Sequence, residues 1–464
     1  MPPDALLIRP ITRRTAATIP LPGSKSITNR ALVLAALSST PVTLEGALFS
    51  RDTRIMVTAL RELGFAIETD ENSRRLTLNG LAGKIPRERA TIHVGNAGTV
   101  ARFLTAMIAL RHGGEYRLDG DAAMRSRPMS GLLNALVNQG AQILPLSAPP
   151  DASTPETFPF ILRPNTLRGG EIAVDASASS QILSALLIAA PLARAPVRVR
   201  TTGATVSKPF VTMTLRMMRQ FGCTEIPATG ADLHAFAAPV PYRLENGVYP
   251  VEPDATAASY FLALPIAAPV SVRVPLPCES LQGDIAFAHH LAQLGLSLHP
   301  AADAWLASPP PTSLPGGDLD FNAISDTFLT LGALSPLLAS PLTIRGVAHA
   351  RHQETDRLLA LAVELEKLGQ HPFPDSTALR ADTSLGKITL YPDRDAMRRA
   401  TATAPVRIRT YEDHRLAMSF AILASHDLHG DGRPWLAIED PACCSKTFPD
   451  FFQILESIHD APAP

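Results

Sequence analysis

Four cysteines in 464 residues are too few for a disulfide framework. Cys223 and Cys278 stand alone, and Cys443 and Cys444 are adjacent, a spacing that no C-x-x-C metal site uses. That scarcity fits a reducing compartment. Net charge is nearly absent as well: at −1, no global field favours nucleic acid or an anionic membrane, so any anion site must be a local concentration of charge. Apolar runs are short. The stretch "ILSALLIAAPLA" (182–193) falls well below the roughly 20 residues needed to span a bilayer. The opening "MPPDALLIRPITRRTAATIPLPG" has prolines and arginines but no apolar signal core. A cytoplasmic protein with no nucleic-acid or membrane partner is expected.

Several catalytic signatures are missing too. The phosphate-loop pattern G-x-x-x-x-G-K-[ST] is absent, because Lys25 follows Ser24, and "GNAGT" (95–99) is not G-x-G-x-x-G. His349 and His352 make an H-x-x-H, but there is no H-E-x-x-H and no G-x-S-x-G. No metal site is expected.

What is present repeats. Nearly all-apolar segments occur at 27–37, 98–110, 179–193, 256–268, 326–339 and 413–424. Helices apolar on every side are buried ones. Each is followed by an amphipathic segment, and five of these end on glycine: Gly64, Gly140, Gly222, Gly295 and Gly369, spaced 76, 82, 73 and 74 residues apart. Glycine there reads as a left-handed helix cap. Between them lie β-branched runs such as "VTLEG", "EIAVDA", "VRVRTT", "SVRVPL" and "LTIRGV", which read as strands. Six units of this size exceed one core, so the pattern predicts two α/β domains of three units each, joined near 244–253. The proline-rich stretches at 145–160 and 307–317 read as surface excursions, and 384–406 as an insertion.

The helix starts carry the polar residues. The apolar segments open with Lys25, Ser26 and Arg30; with Gly98, Thr99 and Arg102; with Ser179, Ser180 and Gln181; with Asp326; and with Asp413, His414 and Arg415. The amphipathic ones open with Arg127, Ser207, Glu354 to Arg357, and Lys446. Helix N-termini already present free N–H groups and positive potential, and a solvated helix prefers acids there. Cations and hydroxyls at most of these ends therefore point to an anionic ligand carrying phosphate and carboxylate groups. A lone Asp326 or Glu354 is more often a cap or first-turn acid. In a cationic cleft each becomes a candidate proton carrier.

The motifs "LPGSKSITNRAL", "GNAGTVARFL", "MRSRPMSGLLNAL", "SASSQILSALL", "VSKPF", "SDTFLTL", "QETDRL", "EDHRLAM" and "DPACCSKTFPDFF" run in order from residue 21 to 452. Together they resemble the 5-enolpyruvylshikimate-3-phosphate (EPSP) synthase family of enolpyruvyl transferases, the 3-phosphoshikimate 1-carboxyvinyltransferases of aromatic amino-acid synthesis. The resemblance implies two similar domains, 21–248 and 1–20 with 249–464. Each would have three βαβαββ units around buried parallel helices, an inside-out α/β barrel that closes on substrate. It implies transfer of the enolpyruvyl group of phosphoenolpyruvate to the 5-hydroxyl of shikimate 3-phosphate, with no metal or organic cofactor, in a monomer. Shikimate 3-phosphate would be held by Lys25, Ser26, Arg30, Ser179, Ser180, Gln181, Ser207, Asp326 and Gln353. Phosphoenolpyruvate would be held by Lys25, Gly98, Arg127, Gln181, Arg357, Arg415 and Lys446. Asp326 would take the hydroxyl proton, Glu354 would move protons at the methylene carbon, and Lys25 would share the catalytic work.

Three positions depart from the common pattern: Gln353 replaces a lysine, Phe210 a tyrosine and Phe103 a proline. The alternatives are the sister transferase acting on UDP-N-acetylglucosamine, and a non-catalytic phosphometabolite-binding protein. The sister family usually carries a mobile-loop cysteine in its N-terminal domain, whereas the first cysteine here is Cys223.

Overall fold

The computed structural model of the chain describes residues 5–146, 154–203, 206–227 and 233–463. The chain divides into two compact units, Gly23–Glu252 and Met1–Pro22 with Pro253–Pro464. The expected boundary at 248/249 falls inside the strand Val248–Pro250. That strand pairs in parallel with Pro41–Glu45, which keeps residues up to 252 with the unit that begins at Gly23. In the other unit, Thr15–Thr18 pairs in parallel with Val270–Val274, and Ala5–Leu7 pairs antiparallel with Leu436–Glu439.

In the unit 23–252, the helices Lys25–Leu37, Gly98–Ile108 and Ser180–Ala189 form the centre. Every residue of Gly98–Ile108 is buried, as are eleven of the thirteen in Lys25–Leu37. Such helices need no polar face because they touch one another on one side and the sheets on the other. The hydroxyls of Ser24 and Ser179 cap two of them, accepting from the Ile27 and Gln181 amides. Three mixed sheets surround them. In sequence they are Val248–Pro250, Pro41–Glu45, Arg75–Asn79 and Ile67–Asp70; then Arg89–His93, Glu115–Asp119, Phe160–Arg163 and Gln142–Pro145; then Gly170–Asp175, Val197–Thr202 and Leu233–Phe236. The amphipathic helix Arg51–Glu62 packs on Arg89–His93 of the following sheet, and Ser130–Asn138 packs on Gly170–Asp175, so consecutive repeats interlock.

The second unit repeats the plan with the helices Ala255–Ala267, Phe328–Leu334 and His414–Ala424 packed together. All five glycines that end amphipathic helices have left-handed φ, between 72° and 104°. That conformation penalises any side chain. The insertion-like stretch 384–406 is built into the unit. It supplies the strand Ile388–Leu390, which pairs with Leu342–Arg345, and a helix, Arg394–Ala400, whose Met397 is fully buried. In the stretch 145–160, residues 147–153 lie outside the described residues. Among the described residues no helix is long and apolar enough to cross a membrane.

Candidate active site

In the unit 23–252, side-chain contacts join the starts of the three central helices. Asn29 Nδ2 donates to Thr99 Oγ1 at 2.7 Å, linking the first helix to the second. The second meets the third at Gly98. A Cβ placed there would lie 2.8 Å from both Arg127 Nη2 and Gln181 Oε1, and 3.1 Å from Arg102 Nη1. Only glycine lets these groups approach the helix start. Ser184 of the third helix receives the Thr214 hydroxyl at 3.0 Å, and Thr214 in turn accepts from Arg30 Nε at 2.8 Å. Gly98, Arg127 and Gln181 thus meet at the start of the second helix, while Lys25 and Arg30 stand in the first turns of the helix joined to it through Asn29 and Thr99, a positive and donor-rich region.

The cations gathered there are short of counter-charge. Arg30 is 1% exposed. It donates to Thr214, to the Ser26 carbonyl at 3.0 Å and to the Phe210 carbonyl at 3.3 Å, and its guanidinium lies over the Phe103 ring. No carboxylate pairs with it among the described residues. Burial lowers its pKa to about 9, which leaves it charged at neutral pH. Arg127, 7% exposed, finds only Asn96 Oδ1 at 3.4 Å, and its Nε has no hydrogen-bond partner among the described residues. Gln181 Oε1 is also buried without a partner there. Lys25 is the exception, with Asp52 Oδ2 at 3.5 Å. Ser179 is occupied as a cap, Ser180 is buried beside it, and Ser207 holds a left-handed backbone (φ 50°) ahead of Lys208–Gln220. A serine in that conformation marks a locally strained loop, a common property of ligand-binding positions.

The second unit carries a cluster built on a different rule. Arg357 is 1% exposed and is gripped on three sides, with Nε on Asp413 Oδ2 at 2.8 Å, Nη1 on Asp326 Oδ1 at 2.9 Å and Nη2 on Glu354 Oε2 at 2.9 Å. Nη1 also donates to Gln353 Oε1. Arg415 Nη2 reaches the other oxygen of Asp326 at 2.7 Å, and Lys446 Nζ reaches the other oxygen of Glu354 at 2.9 Å. Each of these two carboxylates therefore bridges two cations. Burial works against the charge of both arginines. For Arg357 the field of Asp413, Glu354 and Asp326 wins, and for Arg415 that of Asp326 wins, so both stay firmly protonated.

Local structure here departs from the sequence expectations. Asp326 is no cap, since the helix Phe328–Leu334 begins after Thr327. Glu354 is no first-turn acid. Asp356 caps Arg357–Lys367 by accepting from the Leu359 amide at 3.0 Å, which frees Glu354 to face Arg357 and Lys446. Lys446 does not start a helix either. It closes the 3-10 turn Pro441–Lys446, and the next helix begins only at Phe451, beyond Pro449. One carboxylate, Asp52, escaped the reading of the sequence, and for Asp413, named there at a helix start, the pairing did. Asp52 looks like any first-turn acid, and Asp413, which caps His414–Ala424 through the Arg415 amide at 2.9 Å, also clamps Arg357.

Solved structures share this backbone. The chain matches EPSP synthase from Acinetobacter baumannii with a TM-score of 0.75 at 21% identity, covering 98% of both chains. It matches the enolpyruvyl transferase NikO from Streptomyces tendae at 0.69 and 16%, covering 98% and 97%. The fold is that of the enolpyruvyl transferases. The family model of EPSP synthase (3-phosphoshikimate 1-carboxyvinyltransferase) spans residues 10–455. Proteins named 3-phosphoshikimate 1-carboxyvinyltransferase are 44% identical in Opitutus terrae, over 98% of both chains, and 38% identical in a Nostoc species, over 97% and 98%. The chain belongs to the EPSP synthase family.

Proposed function

We propose that the protein transfers the enolpyruvyl group of phosphoenolpyruvate to the 5-hydroxyl of shikimate 3-phosphate, releasing inorganic phosphate. Family membership supports the reaction. The observation that carries it is the pair of buried guanidiniums, Arg30 and Arg127, neither paired with a carboxylate among the described residues. An uncompensated buried charge is expensive, and an anionic ligand removes the expense.

In this reading Lys25, Ser26, Arg30, Ser179, Ser180, Gln181, Ser207, Asp326 and Gln353 hold shikimate 3-phosphate. Lys25, Gly98, Arg127, Gln181, Arg357, Arg415 and Lys446 hold phosphoenolpyruvate. A proton adds to C3 of phosphoenolpyruvate, which makes C2 electrophilic. The 5-hydroxyl oxygen then bonds to C2 while its proton passes to Asp326. The tetrahedral intermediate loses a proton from C3, the C2–O bond to phosphate breaks, and the double bond reforms. Glu354 serves the two C3 transfers, and Lys25 assists. The cations offset charge that builds on the leaving phosphate. Glu354 must carry a proton into turnover, against its ion pairs with Arg357 and Lys446; it gives that proton to C3 and takes one back, the hydroxyl proton ends on Asp326, and the C2–O electron pair leaves with phosphate. The protein is read as working as a monomer.

Phosphate release in the presence of phosphoenolpyruvate tests the reading. Release is expected with shikimate 3-phosphate as acceptor and not with UDP-N-acetylglucosamine. The reverse preference would assign the sister reaction, and release with neither would leave a binding protein.

A further inference from the structure

A fourth buried carboxyl lies within the field of Asp326 and Arg415, and no step above uses it. Asp284 lies in the 3-10 turn Gly283–Ile285, which packs against the helix Ala255–Ala267, and is 4% exposed. The Thr256 hydroxyl donates to its Oδ2. Its Oδ1 is buried and has no hydrogen-bond partner among the described residues. No cation makes an ion pair with it there. The charges it feels are Asp326 and Asp254, both of its own sign, and Arg415. The titratable residues of Ala286–Gln293, the other helix packed on this turn, are engaged elsewhere: His289 against the Trp305 ring, and His290 on the Asp320 carbonyl at 3.1 Å. On Ala255–Ala267, the buried Tyr260 hydroxyl stays neutral, its pKa raised by burial.

The charge count makes Asp284 consequential. Arg357, Arg415 and Lys446 balance Asp326, Glu354 and Asp413, three against three, and an ionised Asp284 would leave the group at −1. Arg415 also has a buried Nε without a hydrogen-bond partner among the described residues, and it feels Asp326, the neutral Tyr260 hydroxyl and Asp284, so an ionised Asp284 could compete with Asp326 for it. We propose that Asp284 is a proton-dependent positioning residue: neutral, it leaves the charge of the cluster balanced for an incoming anion, and ionised, it draws on Arg415 and weakens that capture. This rests on the reading that the cluster receives phosphoenolpyruvate. Burial, and next the field of Asp326, push the Asp284 pKa up to about 7, against the pull of the Thr256 hydroxyl. The switch would then operate at physiological pH.

Two measurements on the full-length protein test it. Infrared difference spectra between pH 6 and pH 8 should show a protonated carboxyl that titrates near neutrality in the wild type and is missing in Asp284→Asn. Thr256→Val, which removes the one hydroxyl favouring the ionised form, should move that titration to higher pH. In turnover with saturating shikimate 3-phosphate, the wild-type KM for phosphoenolpyruvate should rise with pH above neutrality relative to Asp284→Asn, approaching about tenfold per pH unit for one proton. The ionisation of phosphoenolpyruvate itself is common to both proteins and cancels in the ratio. Parallel KM profiles, or identical carboxyl spectra in the two proteins, would overturn the proposal. Should Asp284→Asn fail to fold, absence of any carboxyl titrating near neutrality in the wild type, or an unmoved titration in Thr256→Val, would do so as well. If the wild type turns over no shikimate 3-phosphate, it is the reaction that has been misread, and the infrared comparison still decides the state of Asp284.

Discussion

The guanidinium carbon of Arg30 lies 5.1 Å from the centre of the Phe103 ring, and both side chains are buried to within 1% of full. A cation facing an aromatic ring instead of a carboxylate keeps its charge for something else. The arrangement predicts a trade. Arg30→Met removes an uncompensated buried charge and should raise Tm by about 2–4 °C, the response to roughly 1 kcal/mol in a unit of this size. The same change should abolish turnover at ordinary concentrations of shikimate 3-phosphate. Thermal melts and steady-state kinetics on one preparation check both halves.

Gly98→Ala inserts a methyl group 2.8 Å from Arg127 Nη2 and from Gln181 Oε1, so both side chains must retreat. The KM for phosphoenolpyruvate should rise by about tenfold or more, since displacement of a positioning group by about 1 Å carries penalties of that order. The affinity for shikimate 3-phosphate, measured by calorimetry, should change far less.

Asp326→Asn keeps the size of the side chain but cannot accept the hydroxyl proton. Turnover should fall by roughly 100-fold or more. Normal turnover at saturating substrate would reduce Asp326 to a spacer between Arg357 and Arg415.

Asp413→Ala leaves the fully buried Arg357 Nε facing an empty place and removes the cap of His414–Ala424. Breaking a buried pair from one side destabilises by about 3–5 kcal/mol. Denaturant unfolding should show a loss of that size, whereas Asp52→Ala, with its looser 3.5 Å contact to Lys25, should lose less.

Asp284 also makes a stability prediction whose sign is fixed. Its pKa is raised, from the usual carboxylate value of 3.8 to about 7, so between those values the folded state binds more protons than the unfolded chain. Its contribution is therefore complete below pH 4 and lost as pH rises through 7, on the order of 4 kcal/mol at full expression. Asp284→Asn should melt above the wild type at pH 8, with the advantage shrinking as pH falls and vanishing towards pH 4. An advantage independent of pH would mean that the residue does not titrate in this range.

The repeat was legible because burial on every side leaves an all-apolar helix, and because a left-handed turn at Gly64, Gly140, Gly222, Gly295 and Gly369 demands glycine at a regular interval. Lys25, Arg30 and Arg127 were legible for the opposite reason, as cations at helix starts where local preference would place acids. What the sequence concealed was pairing across distance. The contact of Arg357 with Asp413 spans 56 residues and that of Arg415 with Asp326 spans 89, and no local pattern records either. Asp284 was invisible because a buried acid and a surface acid are the same letter. The strand Ile388–Leu390 was missed because three residues between prolines and charges carry too little periodicity to be read.

One asymmetry is central: among the described residues, the buried arginines Arg30 and Arg127 of unit 23–252 lack carboxylate partners, and those of the 326–446 cluster have them. Calorimetric titration of shikimate 3-phosphate into the wild type and into Arg30→Met tests it most directly, since no chemistry intervenes. A charge-assisted contact of about 1.5–3 kcal/mol corresponds to a loss of roughly 10- to 100-fold in affinity. The wild type should bind, more weakly as salt rises, and Arg30→Met should show that loss. Equal affinities in the two proteins would contradict the claim that the uncompensated charge is what holds the substrate.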